Sequence, residues 1–299
     1  MARPDIFEEV VRLRRDGVPA ALATIVATRG STPGRETMRL LVLEDGTFLG
    51  TVGGGCLEAE VYDAAIEVIR DERPRTLQFR LTEHESPDSG LLCGGEVTVF
   101  VEPITTPALW IFGGGHVSKA LCTIATMAGF RVTVVDDRPA YASPERFPDA
   151  AETVARDIAT APAEMPIRAN SYIVVVTRGH KEDGVVLGAL ARRAEAGERP
   201  RFLGMIGSKT KRAVLFRHLR ADGVDEGFLE SVRSPVGLNL GGRSHEEIAV
   251  AVVGELISVR RLGGDAAASW EGRRRPGRGA GPERIDLDPD GSDRASEAG

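Results

Sequence analysis

Cysteine is scarce in this sequence, and its placement excludes two classes of protein. The 299 residues include three cysteines, Cys56, Cys93 and Cys122, with no C-x-x-C pair among them. A disulfide scaffold needs several closely spaced cysteines, and a structural zinc site needs four ligands that commonly come in such pairs. The histidines also lack the H-E-x-x-H spacing of a helical zinc site. We therefore expect neither a disulfide framework nor a resident metal.

Long apolar runs and an excess of positive charge are also missing. No uncharged apolar stretch reaches the ~18 residues of a membrane span, and the first residues lack the apolar core of a secretion signal. We expect a cytoplasmic protein without a membrane span. The formal net charge is −6 at pH 7, whereas nucleic-acid binding depends on neutralising phosphates. Nucleic acid is therefore not an expected partner.

Residues 1–103 have the pattern of a small α+β domain. Alternating apolar residues bounded by turn residues predict strands, and apolar residues at helical spacing predict helices. The predicted helices cover residues 6–15 and 57–70, and the predicted strands cover residues 20–28, 38–43, 47–52, 76–81 and 96–102. Residues 104–107, which are rich in proline and threonine, form a predicted linker.

Residues 108–262 alternate regularly between strand and helix. The predicted strands cover residues 108–112, 131–135, 171–177 and 202–206, with a short apolar segment near Thr153, and the predicted helices cover residues 116–129, 183–196, 209–222 and 245–260. Such alternation predicts a Rossmann-like, doubly wound and mostly parallel α/β sheet covered on both faces. Residues 263–299 hold few large apolar side chains and are predicted to be disordered.

A glycine loop, Gly113-Gly114-Gly115-His116, joins the first predicted strand of this domain to its helix. Backbone amides at the start of a helix, with the helix dipole behind them, favour a bound phosphate. Asp136 ends the next strand, where an acidic residue would accept ribose hydroxyls. Ser118 stands where a third glycine or alanine is usual and is small enough for helix–strand packing. The loop predicts a phosphate-bearing ligand, with NAD(P) as one option.

A second glycine run precedes a cysteine in the first domain. Gly53-Gly54-Gly55-Cys56 places a thiol at the start of a predicted helix, where the helix dipole favours the thiolate. Cys93-Gly94-Gly95 repeats the combination in a loop. The alternative for both cysteines is a small turn residue, whereas Cys122 lies at core spacing within a helix.

Two further loops follow predicted strands and would therefore reach the ligand-binding edge of the sheet. His180 could act as a general base or proton donor, or cap the next helix. Ser208 and Lys209 open the following helix and offer a hydroxyl and an ammonium group to an anion, although the spacing of a nucleoside triphosphatase loop is absent. Ser244 and Glu247 form a predicted capping box.

Taken in chain order, these motifs resemble the XdhC/CoxI family, the accessory factors of xanthine and carbon monoxide dehydrogenases. The resemblance covers nearly all of residues 7–261. It rests on Gly30-Ser31-Thr32-Pro33-Gly34, Gly53-Gly54-Gly55-Cys56-Leu57-Glu58, Cys93-Gly94-Gly95, Ile111-Phe112-Gly113-Gly114-Gly115-His116-Val117, Val135-Asp136-Asp137-Arg138-Pro139, Thr177-Arg178-Gly179-His180, Ile206-Gly207-Ser208-Lys209, Ser234-Pro235-Val236-Gly237-Leu238 and His245-Glu246-Glu247-Ile248-Ala249.

The resemblance implies a chaperone that binds the molybdenum cofactor, aids its sulfuration by a cysteine desulfurase and delivers it to an apo molybdenum hydroxylase. The glycine loop would hold the phosphate of molybdopterin. Cys56 and Cys93 would be the candidates to meet molybdenum or a transferred sulfur. We also expect a homodimer.

Two alternatives remain open at this stage, and with them the question whether the chain is an enzyme. An NAD(P)-dependent oxidoreductase would use Asp136 for the ribose and His116 or His180 as proton donor. A dinucleotide-sensing adaptor would instead use NAD occupancy to regulate partner binding.

Overall fold

The computed structural model of the protein describes residues 5–80, 95–104, 106–168 and 170–263. These residues form two five-stranded sheets, one in each half of the chain. The predicted fold class, a Rossmann-like sheet preceded by a smaller α+β unit, is confirmed. Cys93 and residues 264–299 of the predicted tail lie outside the described residues. The domain boundaries stay predictions.

The first half is an antiparallel sheet packed against a long helix. Its elements in chain order are α1 (Ile6–Asp16), β1 (Ala20–Arg29), β2 (Arg39–Leu43), β3 (Phe48–Gly50), α2 (Gly55–Asp71), β4 (Arg75–Arg80) and β5 (Glu96–Pro103). The strands lie in the order β3-β2-β1-β5-β4. Alternate residues of β1 and β5 are apolar and pack against α2 to form the main core of this half. Ala20 and Leu22, on the other face of β1, pack with Leu13 of α1.

The second half is a parallel sheet with helices on both faces. Its elements are β6 (Ala108–Phe112), α3 (His116–Met127), β7 (Arg131–Asp136), a 3₁₀ turn (Pro139–Tyr141), β8 (Glu152–Ala155), α4 (Ala161–Glu164), β9 (Ser171–Val175), α5 (His180–Glu195), β10 (Phe202–Met205), α6 (Lys209–Ala221), α7 (Glu226–Ser231) and α8 (His245–Leu262). The strand order is β10-β9-β6-β7-β8, with every pair parallel.

Side chains of the central strand β6 alternate between two cores. Leu109 and Ile111 pack with α3 and α8, whereas Phe112 packs with α5 and α6 on the other face. Cys122 belongs to the first core, as its spacing predicts. Burial raises the pKa of its thiol to about 11, so this group stays protonated near neutral pH. Among the described residues, no helix combines the length and apolar character needed to span a bilayer.

Several element boundaries differ from those predicted. The helix α5 begins at His180, three residues before the predicted start, and α2 begins at Gly55, two residues early. Both helices follow a glycine N-cap, which offers no capping side chain as a signal of the helix start. The spacing in the sequence therefore indicated the first buried residue of each helix and not its first residue. The strand β3 is shorter than residues 47–52, and β9 ends at Val175. The 3₁₀ turn, α4 and α7 were not predicted.

The two halves meet at the amino-terminal edge of the parallel sheet. Arg201, which directly precedes β10, donates to the carbonyl oxygens of Arg70 (2.5 Å) and Asp71 (3.2 Å) at the end of α2. Arg260, near the end of α8, donates to Glu72 Oε2 at 3.1 Å. These contacts dock the carboxyl end of α2 against the side of the sheet that lies opposite the ligand-binding edge.

Candidate functional site

Loops from two neighbouring strands meet at the carboxyl edge of the parallel sheet, where open α/β sheets bind ligands. The strand order places the glycine loop after β6 beside the loop after β9. A Cβ built on Gly113, whose φ is +110°, would lie 2.3 Å from the carbonyl oxygen of Val176. Glycine is therefore required at this position, because any side chain would overlap the neighbouring loop.

The rest of the glycine loop is partly covered by the segment that follows β7. A Cβ on Gly114 would lie 1.9 Å from the Tyr141 carbonyl oxygen. The Gly114 carbonyl accepts a hydrogen bond of 2.8 Å from Arg146 Nε. At Gly115, by contrast, a Cβ would meet no atom within 4 Å. The open part of the loop is therefore the start of α3.

Asp136 lies where it was predicted, but the protein itself occupies its carboxylate. Its side chain is 1% exposed. Oδ2 accepts from the Gly114 amide at 2.7 Å, and Arg138 donates to both oxygens, Nε to Oδ1 at 2.8 Å and Nη2 to Oδ2 at 2.9 Å. Burial opposes ionisation, yet these hydrogen bonds outweigh it and lower the pKa of Asp136 to about 2. Acceptance of ribose hydroxyls stays a prediction, and it would require Arg138 to release part of its contact.

Two helix starts meet beside the open end of the glycine loop. The rings of His116 and His245, the first residues of α3 and α8, stack with centroids 5.2 Å apart. Ser118, also predicted to bind cofactor, is fully buried in α3, which fits packing and leaves no path to a ligand in this arrangement. Sequence reasoning noted His245 only within a family motif, because a contact over such a separation leaves no local pattern.

His180 is exposed at the start of α5, and its imidazole has no hydrogen-bond partner within the described part of the chain. Below it, the buried Asp183 accepts from Thr177 Oγ1 at 2.6 Å and pairs with Lys211 Nζ at 2.5 Å. A general base is commonly oriented by a second polar group. His180 has no such orienting group among the described residues. Its exposed ring can contact a ligand, and its role as base or donor stays a prediction.

Ser208 and Lys209 lie at the start of α6, which forms one side of a groove between α6 and α8. The Ser208 hydroxyl caps α6 by accepting from the Lys211 amide at 3.1 Å. Lys209 lines the groove, which has a volume of about 1260 Å³ and a floor formed by residues 233–238. We call it the basic groove. The cationic side chains that line it are Lys209, Arg212, Arg217, Arg220 and Arg233.

The predicted thiol site of Cys56 lies at the start of α2. Cys56 is exposed and follows three glycines with positive φ. A Cβ on Gly54 would meet no atom within 4 Å, so the loop is open beside the thiol. Glu58, one turn into the helix, accepts from the Val52 amide at 3.1 Å and from the Thr51 hydroxyl, which holds the loop in place. Across the described residues, no cluster of three or more His, Cys, Asp or Glu side chains is arranged to hold a metal ion.

Three separate segments converge at this end of the first sheet. A Cβ on Gly53 would lie 2.9 Å from the Gly34 amide nitrogen. A Cβ on Gly95 would lie 2.3 Å from the Ser31 carbonyl oxygen. The glycine run of Cys56 and the residue two positions after Cys93 therefore pack on one loop, residues 31–34. We call this region the cysteine end.

The cysteine end and the glycine loop lie on opposite sides of the contact between the two halves. Cys56 is the second residue of α2, whose other end docks on the amino-terminal edge of the parallel sheet. A helix of 17 residues is about 25 Å long. The glycine loop lies on the far edge of that sheet, one strand length further. We therefore expect a small ligand to contact one of these regions within one chain, and not both.

Two family models match successive parts of the chain. The model of the XdhC and CoxI family matches residues 13–80, which include Cys56. The model of the XdhC Rossmann domain matches residues 109–256, which include the glycine loop and the basic groove. The chain belongs to the XdhC and CoxI family. The predicted family resemblance is thereby confirmed.

Three relatives share most of this chain. YqeB of Escherichia coli (strain K12) is 31% identical over 258 residues, which is 86% of this chain but 46% of that protein; the chain thus spans about half of YqeB. A protein of Bacillus subtilis (strain 168), named as a probable subunit of xanthine dehydrogenase, is 24% identical, covering 83% of this chain and 96% of that protein. The molybdenum cofactor insertion chaperone PaoD of Escherichia coli (strain K12) is 25% identical, covering 85% and 88%.

Proposed function

We propose that this chain is an accessory protein of molybdenum enzymes, which binds the molybdenum cofactor and delivers it to an apo hydroxylase of the xanthine or carbon monoxide dehydrogenase type. The observation that carries the proposal is the exposed Cys56 thiol, which stands beside an open glycine loop at a helix start. Support also comes from family membership and from PaoD, whose name states cofactor insertion.

The donor groups of the cysteine end and of the glycine loop fit different parts of such a cofactor. Cys56 offers a soft sulfur ligand, suited to molybdenum or to a sulfur in transit. The amides at Gly115 and His116 offer the positive end of a helix dipole to a phosphate. When bound, the cofactor supplies the metal centre that the target enzyme needs. The chain's own residues hold it, shield it and release it.

The separation of the cysteine end from the glycine loop bears on how many chains would hold one cofactor. One small cofactor would meet both the thiol and the glycine loop only if two chains each supplied one of them. This supports a homodimer as part of the proposal. Cys93, like Cys56, would be a candidate thiol in the sulfuration of the cofactor by a cysteine desulfurase.

An NAD(P)-dependent oxidoreductase is the second candidate, favoured by the strand order and by the glycine loop with Asp136. It receives less support from the geometry. Arg138 already occupies the Asp136 carboxylate. His180 lacks an orienting partner among the described residues.

Cofactor retention by matched cysteine variants tests the proposal. The purified full chain is incubated with molybdenum cofactor and desalted, and bound molybdenum and pterin are then measured. We expect Cys56→Ala to weaken retention at least about tenfold, or about 1.4 kcal/mol, and to lower the activation of a cofactor-free hydroxylase. The control is Cys122→Ala, which removes a buried thiol. Unchanged retention and activation with Cys56→Ala would contradict the proposal, and NADH binding in its place would favour the oxidoreductase.

A further inference from the structure

The basic groove is a three-sided cavity at the outer edge of the parallel sheet. The segment that forms its floor extends the sheet beyond β10, because the Met205 amide donates to the Arg233 carbonyl (2.9 Å) and the Val236 amide donates to the Met205 carbonyl (3.1 Å). One wall is α6, and the other is the first half of α8. The strand β9 separates this edge from β6, so the groove is distinct from the glycine loop.

Positive charge in the groove comes mainly from one face of α6. Lys209, Arg212, Arg217 and Arg220 recur at helical spacing. Arg220 is paired with Glu226 (2.5 Å) outside the groove. For Lys209, Arg212 and Arg217, the described residues provide no carboxylate partner. Lone cations facing a shared cavity raise its positive potential and favour an anionic ligand.

One further ion pair crosses the groove. Glu255 is the only acidic side chain among the described residues that line it. It accepts from the Gly237 amide at 2.6 Å and lies 3.6 Å from Arg233 Nη1. Its negative charge is therefore offset by Arg233 of the floor, and it lies in no ion pair with Lys209, Arg212 or Arg217.

Most of the remaining lining is apolar, apart from Ser234 and Asn239, and this narrows the class of ligand. The apolar residues include Val236 and Leu238 of the floor, Ile248 of α8, and Leu240, which is 53% exposed. The cations extend over 12 residues of α6, from Lys209 to Arg220, or about 16 Å. The volume of about 1260 Å³ exceeds the range typical of drug-sized ligands. A ligand with several negative charges at one end and a flat apolar ring at the other fits both surfaces.

Arg212 is already held in a position from which it could contact an anion in the groove. Its guanidinium group donates to the Ser234 carbonyl at 3.3 Å and lies 5.0 Å from the centroid of the Phe216 ring. A restrained guanidinium group loses less conformational entropy when it forms paired hydrogen bonds to a phosphate.

We propose that the basic groove binds a nucleotide, with its phosphates along α6 and its base against Leu238, Leu240 and Ile248. The inference does not depend on the proposed function, because it uses no residue of the cysteine end or the glycine loop.

Calorimetric titration of the full chain with ADP, and separately with adenosine, tests this site. We expect ADP to bind and adenosine to show no detectable heat, because the charge contacts supply most of the affinity. Raising the salt concentration should weaken ADP binding by screening exposed charges. Absence of ADP binding at millimolar concentration would overturn the proposal.

Two sets of variants locate the bound nucleotide. Lys209→Gln combined with Arg217→Gln should weaken ADP binding at least about tenfold, and both side chains are exposed, so folding should persist. Arg192→Gln, an exposed arginine on α5, is the matched control and should bind as the wild type does. Gly115→Ala adds a methyl group at the glycine loop. Loss of binding with Gly115→Ala and not with the groove variant would place ADP at the glycine loop and overturn the proposal, as would equal weakening by Arg192→Gln.

Discussion

Arg138 and the Gly114 amide hold Asp136 in its ionised form, and the protein should therefore lose stability when this carboxylate is protonated at low pH. The folded-state pKa of about 2 lies below the ordinary value of 3.8. The stabilisation is therefore fully present above about pH 4 and is lost as the pH falls toward 2. We expect Asp136→Asn to lower the free energy of unfolding by about 2 kcal/mol at pH 7. The difference from wild type should shrink between pH 4 and pH 2. Urea unfolding across this range measures it, with the exposed Asp222→Asn as control.

Adjacent glycines of the same loop should respond differently to one added methyl group. Gly114→Ala places a Cβ against the Tyr141 carbonyl oxygen, so the loop must move, at a cost of roughly 1–3 kcal/mol. Gly115→Ala meets open space at a φ of −71° and should change stability by less than about 0.5 kcal/mol. Thermal unfolding of both variants compares them. Equal effects would mean that Tyr141 does not cover the loop in solution.

At the scale of residues, the positions of side chains could be predicted from the sequence better than the residues they contact. Asp136 could be placed from its distance to the glycine loop, and Cys122 from its helical spacing among apolar residues. The contacts of Arg146 with Gly114 and of His245 with His116 could not be foreseen. Each joins residues that are far apart in the chain, and no periodicity records such pairs.

Helix α8 depends on its amino-terminal cap, which also sets the position of His245. The Ser244 hydroxyl accepts from the Glu247 amide at 3.1 Å, and the Glu247 carboxylate accepts from the Ser244 amide at 3.0 Å, which confirms the predicted capping box. We expect Ser244→Ala to destabilise the protein by about 1 kcal/mol. Combining it with Glu247→Ala should cost less than the sum of the two single changes. Urea unfolding of the three variants measures the coupling, and strict additivity would argue against a reciprocal cap.

At the scale of elements, long periodic segments were predicted and short irregular ones were not. The strands β1, β5 and β6 and the helix α8 lie within a few residues of their predicted bounds. By contrast, α4 and α7 have four and six residues, too few for a helical period to show. The basic face of α6 carried a usable signal, since its cations recur at helical spacing, although the groove opposite them depends on how α8 packs.

At the scale of the whole molecule, the alternation of strands and helices was enough to predict a Rossmann-like half after an α+β half. How the two halves dock could not be predicted. The contacts run from Arg201 and Arg260 to the last residues of α2, and several of them end on backbone carbonyls, which any sequence would offer. The docked end of α2 is the one opposite Cys56. The docking therefore bears on whether Cys56 and the glycine loop can share one ligand.

The ion pair between Arg260 and Glu72 should determine whether the two halves unfold together. Burial raises the pKa of Glu72, while Arg201 and Arg260 oppose that shift. Removing one partner of a buried pair leaves the other charge less well compensated. Because Arg201 remains near Glu72, we expect Arg260→Met to cost about 2–3 kcal/mol at pH 8, toward the low end for such a pair. The loss should be smaller near pH 5, where Glu72 can take up a proton. Calorimetry should show one transition for the wild type and two for the variant. Adding Glu72→Gln to Arg260→Met should restore much of the stability; failure to do so would mean that packing of the arginine, and not its charge, holds the halves together.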